Sequence, residues 1–344
     1  MNRFVPTDLL EIPTINYFKY RNRGEIEDFN ISKEIIQTYM SFYGKDPRKF
    51  FLINQLSIIP EITWTRERVR GPFLHSTGYT KTLYKPLSPI LQGEKFNPVF
   101  YLITQRYLSK KFYRKKKPET VVLFIHGFAE ESFKLQEQGY FRLFNHIFHS
   151  DIFALELPYH FHRQPSDSPF SGAYYLNGNP VRMLESIRQS IQEIIHLVTI
   201  FKELYSRIIL FGISLGGHLI AMASQFIEEV DIIAALASPF LFKLNPHIVP
   251  ISSNIVNQVK REGHTDYYKI LYSTNLKYFA PHTTNRNTTI IGGRYDRIVP
   301  FSQAKELAIM LEKPLFAYPG GHISIIFWLH SILHQINDLF QKKD

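Results

Sequence analysis

Four short segments of this 344-residue chain carry side chains suited to nucleophilic chemistry. Gly212-Ile213-Ser214-Leu215-Gly216 is a G-x-S-x-G pentapeptide with an apolar run before it and a helical run after it. A serine between a strand and a helix is held on a sharp turn with its hydroxyl above the sheet, and glycines two residues to either side leave room for that turn. Val121 to Phe128 is apolar and passes into His126-Gly127. Thr289 to Asp296 ends in an acid and is followed by Ile298-Val299-Pro300, and Leu315 to His322 ends in a histidine. A hydroxyl becomes a nucleophile when a base takes its proton and a carboxylate orients that base, so serine, histidine and aspartate form a complete set. The pentapeptide alone would be weak, since it arises by chance in many chains; the other three segments give it weight.

These side chains need a sheet to hold them. From Val121 onward, strands and helices are predicted to alternate, as a mostly parallel α/β sheet requires. Ser132 to Phe148 reads as a helix, Asp151 to Leu157 as a strand, and Asn179-Pro180 as the capped start of a helix reaching about Tyr205. Arg207 to Phe211 and Asp231 to Ala237 are further strands, and the apolar run Ile323 to Leu329 is placed inside a core helix. Between Ile58 and Leu108, short β-like runs broken by glycine and proline predict opening antiparallel strands, the last being Val99 to Tyr107. Residues 1–57, with a helix over Ser32 to Phe42 and an apolar stretch at Phe50 to Ile53, read as an N-terminal extension packed on a domain spanning 58–344.

Each reactive residue follows a predicted strand, in the chain order Ser214, Asp296, His322. In this the chain resembles the α/β-hydrolase superfamily over about residues 95 to 341, in its G-x-S-x-G-G-H, G-x-x-D-x-x-V-P and G-G-H segments. Leu157-Pro158-Tyr159-His160 and Ser168 to Gly172 are similar to segments of a sparsely characterised group of abhydrolase-domain proteins within it. The resemblance implies an α/β-hydrolase fold, a mostly parallel central sheet flanked by helices, with a helical lid inserted at about 238–288. It implies Ser214 as nucleophile, His322 as base and Asp296 as its orienting acid. The backbone N–H groups of Leu215 and Phe128 would form an oxyanion hole. The reaction implied is esterase- or lipase-like cleavage of a small-molecule or lipid ester, with no metal or organic cofactor. Acyl transfer through the same three residues, and a non-catalytic binding protein on the same fold, remain open alternatives.

Other charged residues compete for roles. Glu156 ends its strand and is the rival acid, whereas Asp231 begins its strand and lies at the wrong edge. His126 reads as a brace for the oxyanion loop. Tyr159, His160 and Arg163 leave the active-site edge of a strand and are candidates for binding an anionic substrate group. His330 and His334 stand four apart with no third ligand near them in sequence, which argues against a metal pair.

The absence of cysteine excludes disulfides, thiolate catalysis and thiolate zinc sites. The net charge of +10 is concentrated in part between Lys110 and Lys117, just before a strand begins and so on the sheet edge away from the chemistry. This reads as a solvated loop rather than a nucleic-acid surface. Neither a signal peptide nor a membrane span is visible, so a cytoplasmic protein is expected, without integral membrane association though with room for peripheral contact.

Overall fold

The computed structural model describes residues 8–21, 33–43, 50–51, 61–87, 91, 99–107, 119–176, 180–241, 274–278 and 287–341. Most of the insertion expected at 238–288, the basic run Lys110 to Lys117 and the expected helix cap Asn179 lie outside these residues.

Nine strands form one sheet, β1 (Thr63–Arg70), β2 (Phe73–Lys81), β3 (Val99–Tyr107), β4 (Thr120–Ile125), β5 (Ser150–Leu155), β6 (Arg207–Ile213), β7 (Asp231–Ala235), β8 (Thr288–Gly293) and β9 (Leu315–Tyr318). Their order is β1-β2-β3-β5-β4-β6-β7-β8-β9. The first three strands and the step from β3 to β5 are antiparallel. All pairs from β5 through β4 to β9 are parallel.

The parallel strands are covered on both faces, which is why they read as continuous apolar runs rather than alternating ones. Val121, Leu123 and Ile125 of β4 enter one core, with Ile208 and Leu210 of β6 and Ile232 and Ala234 of β7. Val122 and Phe124 enter the other, with Ile209, Phe211, Ile233 and Ala235. The period of two along each strand therefore sorts its side chains between two helical layers.

Eight α-helices accompany the sheet among the described residues: α1 (Asp8–Arg21), α2 (Lys33–Tyr43), α3 (Lys134–Gln138), α4 (Tyr140–Phe148), α5 (Pro180–Leu204), α6 (Leu215–Ala223), α7 (Phe301–Leu311) and α8 (Leu329–Gln341). Residues of α1, α2, α5, α6 and α7 bury into the first core, and those of α4 and α8 into the second. None of the described helices is long and apolar enough to cross a membrane.

Three elements depart from the sequence expectation. The helix expected over Ser132 to Phe148 is two helices, α3 and α4, that meet at Gly139, where φ −112° and ψ −80° break the helical path. The core helix expected to contain Ile323 to Leu329 is instead a 3₁₀ turn, Ser324–Trp328, followed by α8. Its side chains are not all inside, since Phe327 is 72% exposed. Last, α1 forms despite Pro13, which removes one hydrogen bond of its ladder. What holds it is tertiary: Glu11 and Ile15, four residues apart and so on one face, are both buried.

Behind the sheet, α2 is anchored to α5 by buried polar groups. Tyr39 donates to Glu185 Oε1 at 2.5 Å, Tyr84 donates to Glu185 Oε2, and Arg188 Nε donates to the Phe50 carbonyl at 2.7 Å. At the far edge of the sheet, β1 is exposed along Arg66, Glu67, Arg68, Val69 and Arg70, with no strand beyond it among the described residues.

Candidate active site

The parallel strands β4, β6, β8 and β9 all point their carboxyl ends to one side, and the loops leaving them bring the site together. Ser214 stands between the end of β6 and the start of α6 with φ 56° and ψ −116°. A positive φ on a residue that carries a Cβ is strained by roughly 1–3 kcal/mol and persists only where the surroundings enforce it. Here they do. A Cβ on Gly216 would lie 2.1 Å from the Ile125 carbonyl oxygen, so the turn can pack under β4 only with glycine there. The Ser214 N–H is held by the Ala235 carbonyl at 2.8 Å.

Asp296 follows β8. Its Oδ1 accepts from the N–H groups of Ile298 and Val299, both at 2.9 Å. Its other oxygen is thereby aimed at His322, which follows β9, and the two meet at 2.8 Å. A carboxylate only accepts, so His322 carries its proton on Nδ1 and presents the lone pair of Nε2. Ser214 Oγ stands 2.9 Å from that nitrogen, across 108 positions of sequence. Burial by itself would lower the His322 pKa, but the charge and hydrogen bond of Asp296, with a further contribution from the Glu11 carboxylate, raise it above the ordinary histidine value.

A cavity of about 210 Å³ opens over Ser214. Gly127, Phe128, Leu215 and His322 line it together with mainly apolar side chains, among them Leu135, Leu176, Ile213, Leu241, Val299 and Ile326. Phe128 and Leu215, the expected oxyanion donors, thus both border the serine. Leu215 is the first residue of α6, where backbone N–H groups have no partner within the helix.

His126 occupies the bracing position expected of it. Its Nε2 accepts from the Leu157 N–H at 3.1 Å, which leaves Nδ1–H to donate to the Gly127 carbonyl at 2.6 Å. Both nitrogens are engaged by backbone, so the ring stays neutral and fixes the loop that carries Phe128. Glu156, the rival acid, is turned elsewhere: it accepts from the His162 N–H at 3.2 Å and from His162 Nδ1 at 2.9 Å. Asp231, at the opposite edge, pairs with Arg207 at 2.7 Å and accepts from Asn287 at 3.0 Å.

Tyr159, His160 and Arg163 fall differently from the expectation of an anion-binding rim. None of them lines the cavity. Arg163 is 1% exposed and makes a two-pronged pair with Glu193 of α5 at 2.7 and 2.9 Å, while also donating to the Glu156 carbonyl at 2.8 Å. It ties the loop after β5 to a helix behind the sheet and has no surface to offer a substrate. His160 is fully buried, donates from Nδ1 to the Pro158 carbonyl at 2.8 Å and packs edge-on against His126. Tyr159 is half-buried, its ring against that of Tyr174. Positive φ at Tyr159 and Phe161 folds this loop inward. Gly172 is required opposite, because a Cβ there would come within 2.1 Å of His160 Nε2.

The rings of His330 and His334 on α8 lie with centroids 4.5 Å apart and planes tilted by 55°. Among the described residues no group of three or more histidine, aspartate or glutamate side chains is arranged to hold a metal ion. One residue beside the site escaped sequence reasoning: Glu11, whose carboxylate reaches the backbone that follows His322.

The sequence matches no family model and no curated protein. Solved structures do resemble the molecule. Acetyl xylan esterase 1 from Thermoanaerobacterium sp. superposes with a TM-score of 0.61 at 11% identity, over 91% of this chain and 99% of that one. The chain has the α/β-hydrolase fold. The acetyl xylan esterase from Paenibacillus sp. R4 gives 0.60 at 12% identity, over 93% and 98% of the two chains. The S-formylglutathione hydrolase from Agrobacterium tumefaciens gives 0.53 at 11%, over 82% and 99%. The mostly parallel sheet, its antiparallel opening strands and the presence of helices on both faces agree with the sequence expectation.

Proposed function

We propose that the protein is a serine hydrolase of carboxylic esters with an apolar acyl part. The observation that carries this reading is the unbroken hydrogen-bonded chain from Ser214 Oγ through His322 to Asp296, placed at an apolar cavity. Ser214 Oγ attacks the acyl carbonyl carbon while its proton passes to His322 Nε2. The carbonyl electron pair moves onto oxygen, where the N–H groups of Phe128 and Leu215 stabilise it. Collapse expels the alcohol, which takes the proton from His322, and leaves an acyl-enzyme. Water, deprotonated by the same imidazole, then releases the acid and restores the serine. Asp296 keeps Nδ1 protonated throughout and stabilises the imidazolium. The names of the three similar structures, two esterases and a hydrolase, support the reaction class.

The burial of Arg163 against Glu193 argues for a neutral substrate over one with an anionic group bound at that loop. Labelling by a fluorophosphonate probe tests the proposal. Wild type should label, and Ser214→Ala and His322→Ala should not; a folded wild type that resists the probe would overturn it.

A further inference from the structure

The segment after His322 is fixed from the other end of the chain. Glu11 of α1 is fully buried, and its Oε1 accepts three hydrogen bonds, from the Ile323 N–H at 2.8 Å, the Ser324 N–H at 2.9 Å and Ser324 Oγ at 3.1 Å. On the other side of His322, a Cβ on Gly321 would lie 2.5 Å from the same carboxylate. The carboxylate is therefore packed against the backbone on both sides of the imidazole. We propose that Glu11 is a positioning residue for His322, holding the strand-end loop so that the ring spans Ser214 and Asp296.

This rests on the hydrolase reading above and gives α1 a part in it. Three donors converging on one buried oxygen restrict the loop that carries the base, and a small misplacement of a reacting group is costly in rate. A buried carboxylate is also expensive unless a positive charge meets it. The imidazolium formed when Ser214 gives up its proton is such a charge, so Glu11 joins Asp296 in favouring it. Among the described residues the charged groups facing the ring are Asp296 from the end of β8 and Glu11 from α1; Glu130 and Tyr140 line the cavity from the β4 side, and the 324–328 turn carries no titratable side chain.

The test combines turnover of p-nitrophenyl butyrate, fluorophosphonate labelling, and NMR titration of the His322 ring, all on the full chain. In Glu11→Ala the loop loses its anchor, and kcat should fall by roughly 10- to 100-fold with KM unchanged. Glu11→Gln keeps an accepting oxygen and should recover most of kcat. It lacks the charge, however, so both the His322 titration and the acid limb of kcat/KM should move to lower pH. Leu9→Ala, on the exposed side of α1, should match wild type in every readout. A folded Glu11→Ala with wild-type kcat, or a Glu11→Gln in which His322 titrates as in wild type, overturns the proposal. Should Glu11→Ala fail to fold, Glu11→Gln decides. A wild type that neither turns over the ester nor labels, together with a shifted His322 titration in Glu11→Gln, would remove the hydrolase reading and leave the hold of Glu11 on His322 standing.

Discussion

His126 and His322 are both buried and both follow the carboxyl end of a parallel strand, yet their chemistry diverges. Burial, then the neighbouring His160 and Arg163, press the His126 pKa well below the ordinary value, and the bond to Gly127 only partly offsets this. Burial presses on His322 as well, but there Asp296 and Glu11 reverse the outcome. Depth is common to the two rings, so depth does not make a base. The sign of the neighbouring charges does, and it separates a neutral strut from a group that can hold a proton.

Removing that difference should have the largest effect. Asp296→Asn takes away the carboxylate that distinguishes His322, and fluorophosphonate labelling should slow by about 10³- to 10⁴-fold, with the His322 titration moving to lower pH. Retention of the wild-type titration would break the comparison. Next in size is Arg163→Ala, which strands Glu193 as an unpaired buried charge. Urea unfolding should show a loss of about 3–5 kcal/mol, while phosphate should inhibit ester turnover no more and no less than in wild type.

The buried neutral histidines make a smaller effect that depends on pH. His160 and His218 are each held at about 4, chiefly by burial. Because their folded values lie below the unfolded one, the stability they contribute is complete above about pH 6.5 and is lost as pH falls toward 4, on the order of 3 kcal/mol for each. His322 has the opposite sign: its contribution is complete below the unfolded value and fades as pH rises through the raised one. Unfolding free energies measured from pH 7.5 to 4.5 should therefore fall steadily. The smallest expected effect is that of His126→Leu, which leaves the Leu157 N–H without its acceptor at a cost of about 1–3 kcal/mol. The acid limb of kcat/KM should stay where it is; a displaced limb would mean that His126 titrates with the machinery.

How much could be read beforehand follows the range of the interactions concerned. The strands β4, β6 and β8 were legible because their apolar runs are local and uninterrupted, and the meeting of Ser214, Asp296 and His322 because each follows a parallel strand, β6, β8 and β9 in turn. Local sequence also indicated the bracing position of His126, which bonds to its own neighbour Gly127. Arg163 misled because a cation in a loop after a strand looks exposed; only the inward turn at Tyr159 and Phe161 and the distant Glu193 bury it. Glu11 was invisible for the same reason carried further. Its partners lie 312 and 313 positions away, and Pro13 disguises the helix that carries it. The break at Gly139 and the 3₁₀ turn after His322 were missed because an apolar run does not reveal which kind of turn it adopts.

The exposed edge at β1 has a bearing on how the molecule keeps company with its own kind. Among the described residues the sheet ends at β1, and an edge strand presents a row of backbone groups on which another chain can lay a strand. Here the row is dressed with Arg66, Arg68 and Arg70 on one face and Glu67 on the other. A second copy approaching edge to edge would bring arginine toward arginine. The strand farthest from the serine thus works as a bumper, and neutralising those three arginines should let two copies pair edge to edge.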